Sequence, residues 1–258
     1  MTTSIAAMEA PRTVHVEHCM GTVFTIDIRD PGDWRDAVRD VVNWLHQVDA
    51  VFSTYRADSD VSRIQRRELR AVDAHPDVLE VLDLCAQVQA ATDGYFSALH
   101  NGKLDPTGLV KGWAIERAGE LLRRHGSPNH AVNGGGDMQL AGEGAPGRPW
   151  RVGIADPADR TRVLTVLAGR DFAVATSGTA ERGEHLVDPF TNRAATALAS
   201  ASVAGPSLTV ADAYATAAFV MGDDALGWIE GVPEYDVLVV GAGGSRTSTG
   251  WHRFAAPA

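Results

Sequence analysis

A mixed α/β fold, with helices packed on a mainly antiparallel sheet, is what the sequence predicts, and three observations predict it. Apolar residues recur at helical spacing in three stretches of the first half, 34–52, 76–94 and 105–126. The second half instead carries short runs of β-branched and small residues separated by Gly and Pro. No linker or internal repeat divides the chain, so 12–258 reads as one domain after a loose tail over 1–11.

In chain order, Val14 and Val16, then Val23, Thr25, Ile26 and Ile28, predict two strands broken at Met20-Gly21-Thr22. Val38, Val42, Leu45, Val48 and Phe52 share one face of a helix over 34–52. Residues 53–63 are polar and turn-rich and predict a loop. Pro76 opens a second helix, which Gly94 ends. Asp105-Pro106 opens a third: Asp accepts from the orphan N–H groups of a helix start, and Pro is pre-set for its first turn. Strands are predicted over 131–133, 138–140, 150–154, 163–167, 172–175, 197–203 and 237–240, with Gly134-Gly135-Gly136 as a tight turn. Residues 176–182 predict a polar loop. Residues 208–221 predict a helix that Gly222 ends.

Composition excludes several function classes. With a formal net charge of −10, the chain lacks the clustered Lys and Arg of a nucleic-acid surface. No apolar run approaches the roughly 18 residues that cross a bilayer. The N-terminus carries neither a basic region nor an apolar core, and Cys19 and Cys85 lack metal or lipidation spacing. A reduced, cytoplasmic protein is expected. There is no GxGxxG after a strand, no P-loop and no HExxH.

Two helices carry residues suited to chemistry. Asp105, Thr107, Gly108 and Lys111 fall within two turns at a helix mouth, where free N–H groups and the dipole attract anions. Taken alone, they read as a capped structural helix with one exposed lysine, and the segments that follow raise the case for a site. On the helix over 208–221, Asp212 and Thr216 are four residues apart and share one face of an otherwise apolar segment. A carboxylate there needs a partner or a cation, and carboxylate plus hydroxyl suits Mg²⁺ better than zinc. Asp212 capping its own helix, with Thr216 bonding back to a carbonyl, is the other account. His185 is the candidate proton carrier, with Glu181, Glu184 and Asp188 near it in sequence. Thr176-Ser177-Gly178 offers hydroxyl and amide donors to a phosphate, or is an ordinary turn. Tyr55, Tyr95 and Phe96 are candidates to stack on a planar ring, or are core aromatics.

Eight segments, in order, resemble the FAD:protein FMN transferases of the ApbE type. They are Met20-Gly21-Thr22; Ser53-Thr54-Tyr55-Arg56 with Ser59-Asp60-Val61-Ser62-Arg63; Thr92-Asp93-Gly94-Tyr95-Phe96; 105–114; 133–137; 175–178; 185–189; and Asp212-Ala213-Tyr214-Ala215-Thr216-Ala217. The resemblance implies a T-fold-like flavin-transferase domain that binds FAD as substrate together with Mg²⁺. Such enzymes transfer FMN to a Thr or Ser hydroxyl of an acceptor flavoprotein and release AMP. By position, Met20, Tyr55, Tyr95, Phe96, Ser97, Asp105, Lys111, Thr176, Ser177 and Val187 would line the FAD site. Asp212, Thr216 and the Gly108 carbonyl would hold the metal, and His185 would take the proton. The chain departs from the family at Tyr95-Phe96-Ser97, where Ala-Phe-Asp is usual, at Ala215, where many relatives carry an acid, and in a shortened segment before Asp105. An Mg²⁺-dependent FAD pyrophosphatase giving FMN and AMP, and a non-catalytic FAD-binding protein, are the alternative readings.

Overall fold

The computed structural model describes residues 12–100, 102–179 and 186–256. The tail over 1–11 and His185 therefore lie outside the described residues. The mixed α/β architecture is present: one eight-stranded sheet, order β1-β2-β5-β6-β9-β10-β11-β12, in which every neighbouring pair is antiparallel. Its strands are β1 (Thr13–Cys19), β2 (Thr22–Ile28), β5 (His130–Gly134), β6 (Asp137–Ala141), β9 (Phe172–Gly178), β10 (Leu198–Gly205), β11 (Asp236–Gly241) and β12 (Gly244–Thr247). Two short ribbons complete the strands: β3 (Leu99–His100) with β4 (Lys103–Leu104), and β7 (Trp150–Ala155) with β8 (Val163–Gly169). The early hairpin thus joins the later strands in one sheet, because β2 pairs with β5 in register from Phe24↔Gly134 to Ile28↔His130.

The two faces of the sheet are covered differently. Helices α1 (Arg35–Phe52), α3 (Pro76–Ala91), α4 (Thr107–Arg124) and α5 (Leu208–Met221) share a core with Phe24, Ile26, Ile28, Val132, Ala173, Ala175, Val237 and Val239. The β7–β8 ribbon covers the other face, where Trp150, Val152, Ile154 and Leu167 meet Ala131, Leu140, Phe172, Val174 and Leu238. Alternate residues of one strand serve alternate cores, as the two-residue period of a strand requires. In β9, Ala173 and Ala175 face the helices, while Phe172 and Val174 face the ribbon.

α4 runs between α1 and α5. Trp44 Nε1 donates to the Ala114 carbonyl at 2.9 Å, and Trp113 packs against Trp44 and Phe52 with ring centroids 5.1 and 5.5 Å apart. On its other side α4 meets α5 at Gly112, where a Cβ would come within 2.5 Å of the Leu208 carbonyl and 2.8 Å of Asp212 Cβ. A glycine is required for that close approach.

Several expectations need correction. Residues 53–63 are not all loop: α2 (Asp60–Gln65) begins there, with Ser59 accepting from the Ser62 N–H at 3.1 Å. Thr176, Ser177 and Gly178 are not a loop but the end of β9, held by pairing with Ser202, Ala201 and Ser200 of β10. α4 begins at Thr107, two residues after Asp105, whose Oδ1 still accepts the Thr107 N–H at 3.0 Å. α6 (Ala225–Ile229) and β12 were not anticipated. Among the described residues no helix is long and apolar enough to cross a membrane.

Candidate active site

One cleft collects most of the chemistry-bearing side chains. Its wall on one side is the start of α4, with Asp105, Thr107, Gly108 and Lys111; opposite stand Asp212, Thr216 and Val220 of α5. Thr176, Ser177 and Gly178 at the end of β9 form its base, with Thr22 and Gly135 beside them. Tyr95, Phe96 and Ser97, then Leu186 and Val187, complete the rim.

The α4–α5 crossing builds the polar centre. Lys111 and Gly112 both reach Asp212: Lys111 Nζ donates to Oδ1 at 3.0 Å, and the Gly112 N–H donates to Oδ2 at 2.9 Å. In a regular helix that N–H would serve the Gly108 carbonyl four residues back, so the Asp212 contact draws on the donor that carbonyl would otherwise have to itself. Asp212 does not cap α5; Ser207 does, accepting from the Val210 N–H at 3.4 Å. Lys111 also donates to Asp137, the first residue of β6, whose other oxygen accepts the Thr176 N–H at 2.8 Å.

Asp137 and Asp212 are only 2% and 4% exposed, so both carboxylates are buried against a single ammonium. Their charges leave the centre one unit negative, an arrangement that is costly without a further cation. Thr216 Oγ1 lies 3.3 Å from Ser177 Oγ. It is also 3.9 Å from where a Gly108 Cβ would stand, so the backbone of α4 and the Thr216 hydroxyl face each other closely. Thr176 Oγ1 is tied to Ser202 Oγ at 2.8 Å. Among the described residues no three His, Cys, Asp or Glu side chains converge on one point; the side-chain oxygens gathered here belong to carboxylates and hydroxyls.

Two aromatic side chains, Tyr95 and Phe96, stand on the rim. Tyr95 meets Phe190 edge to face at 5.0 Å. The turn that carries Phe190 is pinned by Asp188, whose Oδ1 accepts the Phe190 N–H and whose Oδ2 accepts the Thr191 hydroxyl, each at 2.8 Å. Those hydrogen bonds hold the Asp188 carboxyl below its usual range against the opposing effect of burial. Asp188 therefore shapes the turn.

The sequence carries a family signature over the same segments: the ApbE family model matches residues 20–101 and 97–239. The chain belongs to the ApbE family. The FAD:protein FMN transferase of Vibrio cholerae is 26% identical, over 85% of each chain. That of Haemophilus influenzae is 28% identical over 49% of this chain and 40% of its own length. Among solved structures, the ApbE protein of Thermotoga maritima superposes with a TM-score of 0.85 at 22% identity, covering 96% of this chain and all of that one (100%), which shows the shared fold.

Within this ApbE fold, Tyr95, Phe96, Ser97, Asp105, Gly108, Lys111, Thr176, Ser177, Val187, Asp212 and Thr216 come together in the cleft. Two expected contacts do not. Tyr55 is 94% exposed beside a loop anchored by Ser53 and Ser59, and its ring projects to solvent. Met20 is absent from the lining because it forms the β1–β2 turn with Gly21, at φ of 51° and 68°, and packs on the core; Thr22 reaches the cleft instead. Sequence reasoning missed Asp137, although it is the last residue of a segment that marks the family. Its signal was an acid placed directly after a triple glycine, at the start of a predicted strand.

Proposed function

We propose that this chain is an FAD:protein FMN transferase that uses Mg²⁺ to move FMN from FAD to a Thr or Ser hydroxyl of an acceptor flavoprotein, releasing AMP. The names of its relatives support the reading. The observation that carries it is the centre itself: Lys111 between two buried carboxylates, with Thr216 and the α4 backbone alongside. FAD brings a doubly charged pyrophosphate. A centre already one unit negative repels it unless a cation intervenes.

The residues fit Mg²⁺. Asp212, the Thr216 hydroxyl and the Gly108 carbonyl would hold it, all hard oxygen donors, with room left for water and phosphate oxygens. Bound there, Mg²⁺ would neutralise charge developing on the pyrophosphate. Lys111 adds a second positive charge on the same side, fixed in direction by Asp137 and Asp212. The Ser177 hydroxyl offers a hydrogen bond to a phosphate oxygen, and Tyr95, backed by Phe190, offers a face to the flavin ring.

In the reaction the acceptor hydroxyl oxygen attacks the FMN phosphorus, the bond to the AMP oxygen breaks, and the hydroxyl proton leaves to a base. His185 is the base in this reading; it immediately precedes Leu186 and Val187, which line the cleft. A base in reach is worth roughly 10²–10⁴-fold. The buried, unpaired Cys19 and Cys85, whose thiols burial pushes up to about 11 and 12, favour a reducing, cytoplasmic setting. The test is incubation with FAD, Mg²⁺ and purified apo-flavoproteins, followed by mapping of FMN-bearing peptides. Release of free FMN and AMP without any modified peptide would make the chain a pyrophosphatase instead.

A further inference from the structure

A second cleft lies on the far side of the end of β9, and it shares three walls with the first: Gly135, Thr176 and Gly178. One flank of it is β7, from Val152 to Ala155. β7 pairs only with β8, so among the described residues its other edge carries no strand.

The register says which groups that edge presents. The Ala168 N–H donates to the Phe254 carbonyl at 2.7 Å, and the Ala256 N–H donates to the Val166 carbonyl at 2.8 Å. Val166 and Ala168 of β8 therefore turn their backbone groups away from β7. In an antiparallel pair, directly opposed residues turn their backbone groups either both toward or both away from each other. Gly153 is opposite Val166 and Arg151 is opposite Ala168. Both must present N–H and C=O to the free edge of β7, and Gly153 does so inside the second cleft.

We infer that this edge is where the acceptor docks: an extended segment of the acceptor flavoprotein adds to β7 as a strand and passes its hydroxyl across the shared wall into the first cleft. The inference rests on the transferase reading. It is favoured by the three residues the two clefts share and by the backbone donors and acceptors of Arg151 and Gly153, which no strand pairs among the described residues, the groups through which a strand is added to a sheet edge. Gly135, Gly136, Gly153 and Gly178 line the groove. Walls without side chains let another backbone approach closely, so the segment that fits is extended and rich in small residues around its Thr or Ser. Main-chain pairing would bring the hydroxyl to a fixed depth.

The test is Gly153→Pro, which removes the edge N–H but no β7–β8 ladder bond. The substrate is a synthetic peptide spanning the hydroxyl that the wild type modifies. Expected is an increase of about tenfold or more in KM for the peptide, as for loss of a hydrogen bond at the edge, with FAD affinity within about twofold of wild type. Alongside it, amide hydrogen exchange of the wild-type protein should slow at Arg151 and Gly153 when the peptide is added, a readout that does not need the variant to fold. An unchanged peptide KM in a folded variant, or unprotected amides, would overturn the inference while leaving the transferase reading intact. A wild type that modifies no acceptor would overturn both.

Discussion

Asp212 is a charged residue on a helix that is otherwise apolar, and its surroundings explain how the fold tolerates it. One oxygen takes the Lys111 ammonium and the other takes the Gly112 N–H. Asp212→Asn keeps a carbonyl oxygen for one of these donors, so the fold should survive in far-UV circular dichroism while Mg²⁺-dependent release of AMP from FAD falls by at least about a hundredfold. Lys111→Met should act through the folded state. It strands Asp137 and Asp212 together, and because Lys111 is itself 28% exposed, about 1–3 kcal/mol of destabilisation is expected rather than the full cost of breaking a buried pair. Mg²⁺ should then raise the melting temperature of Lys111→Met more than that of the wild type; equal shifts would separate the cation from this centre. His130 gives a pH dependence away from the site. Burial lowers its pKa to about 4, and Nδ1 lies 3.0 Å from the Ser127 carbonyl. An unfolded histidine titrates near 6.5. Between those values the unfolded chain binds the extra proton, so the contribution is complete above about pH 6.5 and lost as pH falls toward 4, by about 3 kcal/mol. Urea unfolding of wild type and His130→Gln between pH 7 and 4 should converge by that amount; parallel curves would contradict it. At this scale the pairing of Asp212 with Thr216 was legible because helical spacing fixes which residues share a face, and the placing of Asp105 and Lys111 was legible because Asp105-Pro106 marks a helix start. Asp137 and Tyr55 were not, because burial at a strand start and the direction of a loop side chain depend on tertiary packing.

At the scale of elements, the site depends on how closely α4 and α5 approach. Gly112 permits the contact, and any side chain there collides with Leu208 and Asp212. Gly112→Ala should destabilise the protein by about 1–3 kcal/mol and reduce FAD affinity in the same variant, because the crossing and the Asp212 hydrogen bond are displaced together. Denaturant melts paired with FAD titration would check this; loss of stability without any loss of affinity would show that the crossing does not build the site. The longer helices were legible from periodicity and from Pro76, Pro106 and Gly222 as punctuation. α2 was hidden because its six residues are too few to display a helical period. The end of β9 was hidden because Thr176, Ser177 and Gly178 have turn composition, and only their pairing with β10 keeps them extended.

Over the whole molecule, the two-faced sheet separates tasks. Helices on one face build the charged cleft, the β7–β8 ribbon covers the other face, and β9 ends where the two meet. The separation was only half visible in the sequence: alternating patterns announced strands, but nothing local told that the first hairpin would close onto β5. The central claim, that the Lys111–Asp137–Asp212 centre drives transfer with a divalent cation, is tested most directly by single-turnover reaction of FAD with an acceptor flavoprotein across a Mg²⁺ titration. AMP release and the acceptor's gain in mass would be followed in the same samples. The account predicts one AMP released for each FMN attached, both saturating with Mg²⁺ in the wild type and both absent from Asp212→Asn. Stoichiometric transfer by Asp212→Asn, or transfer undiminished in a chelator, would contradict it.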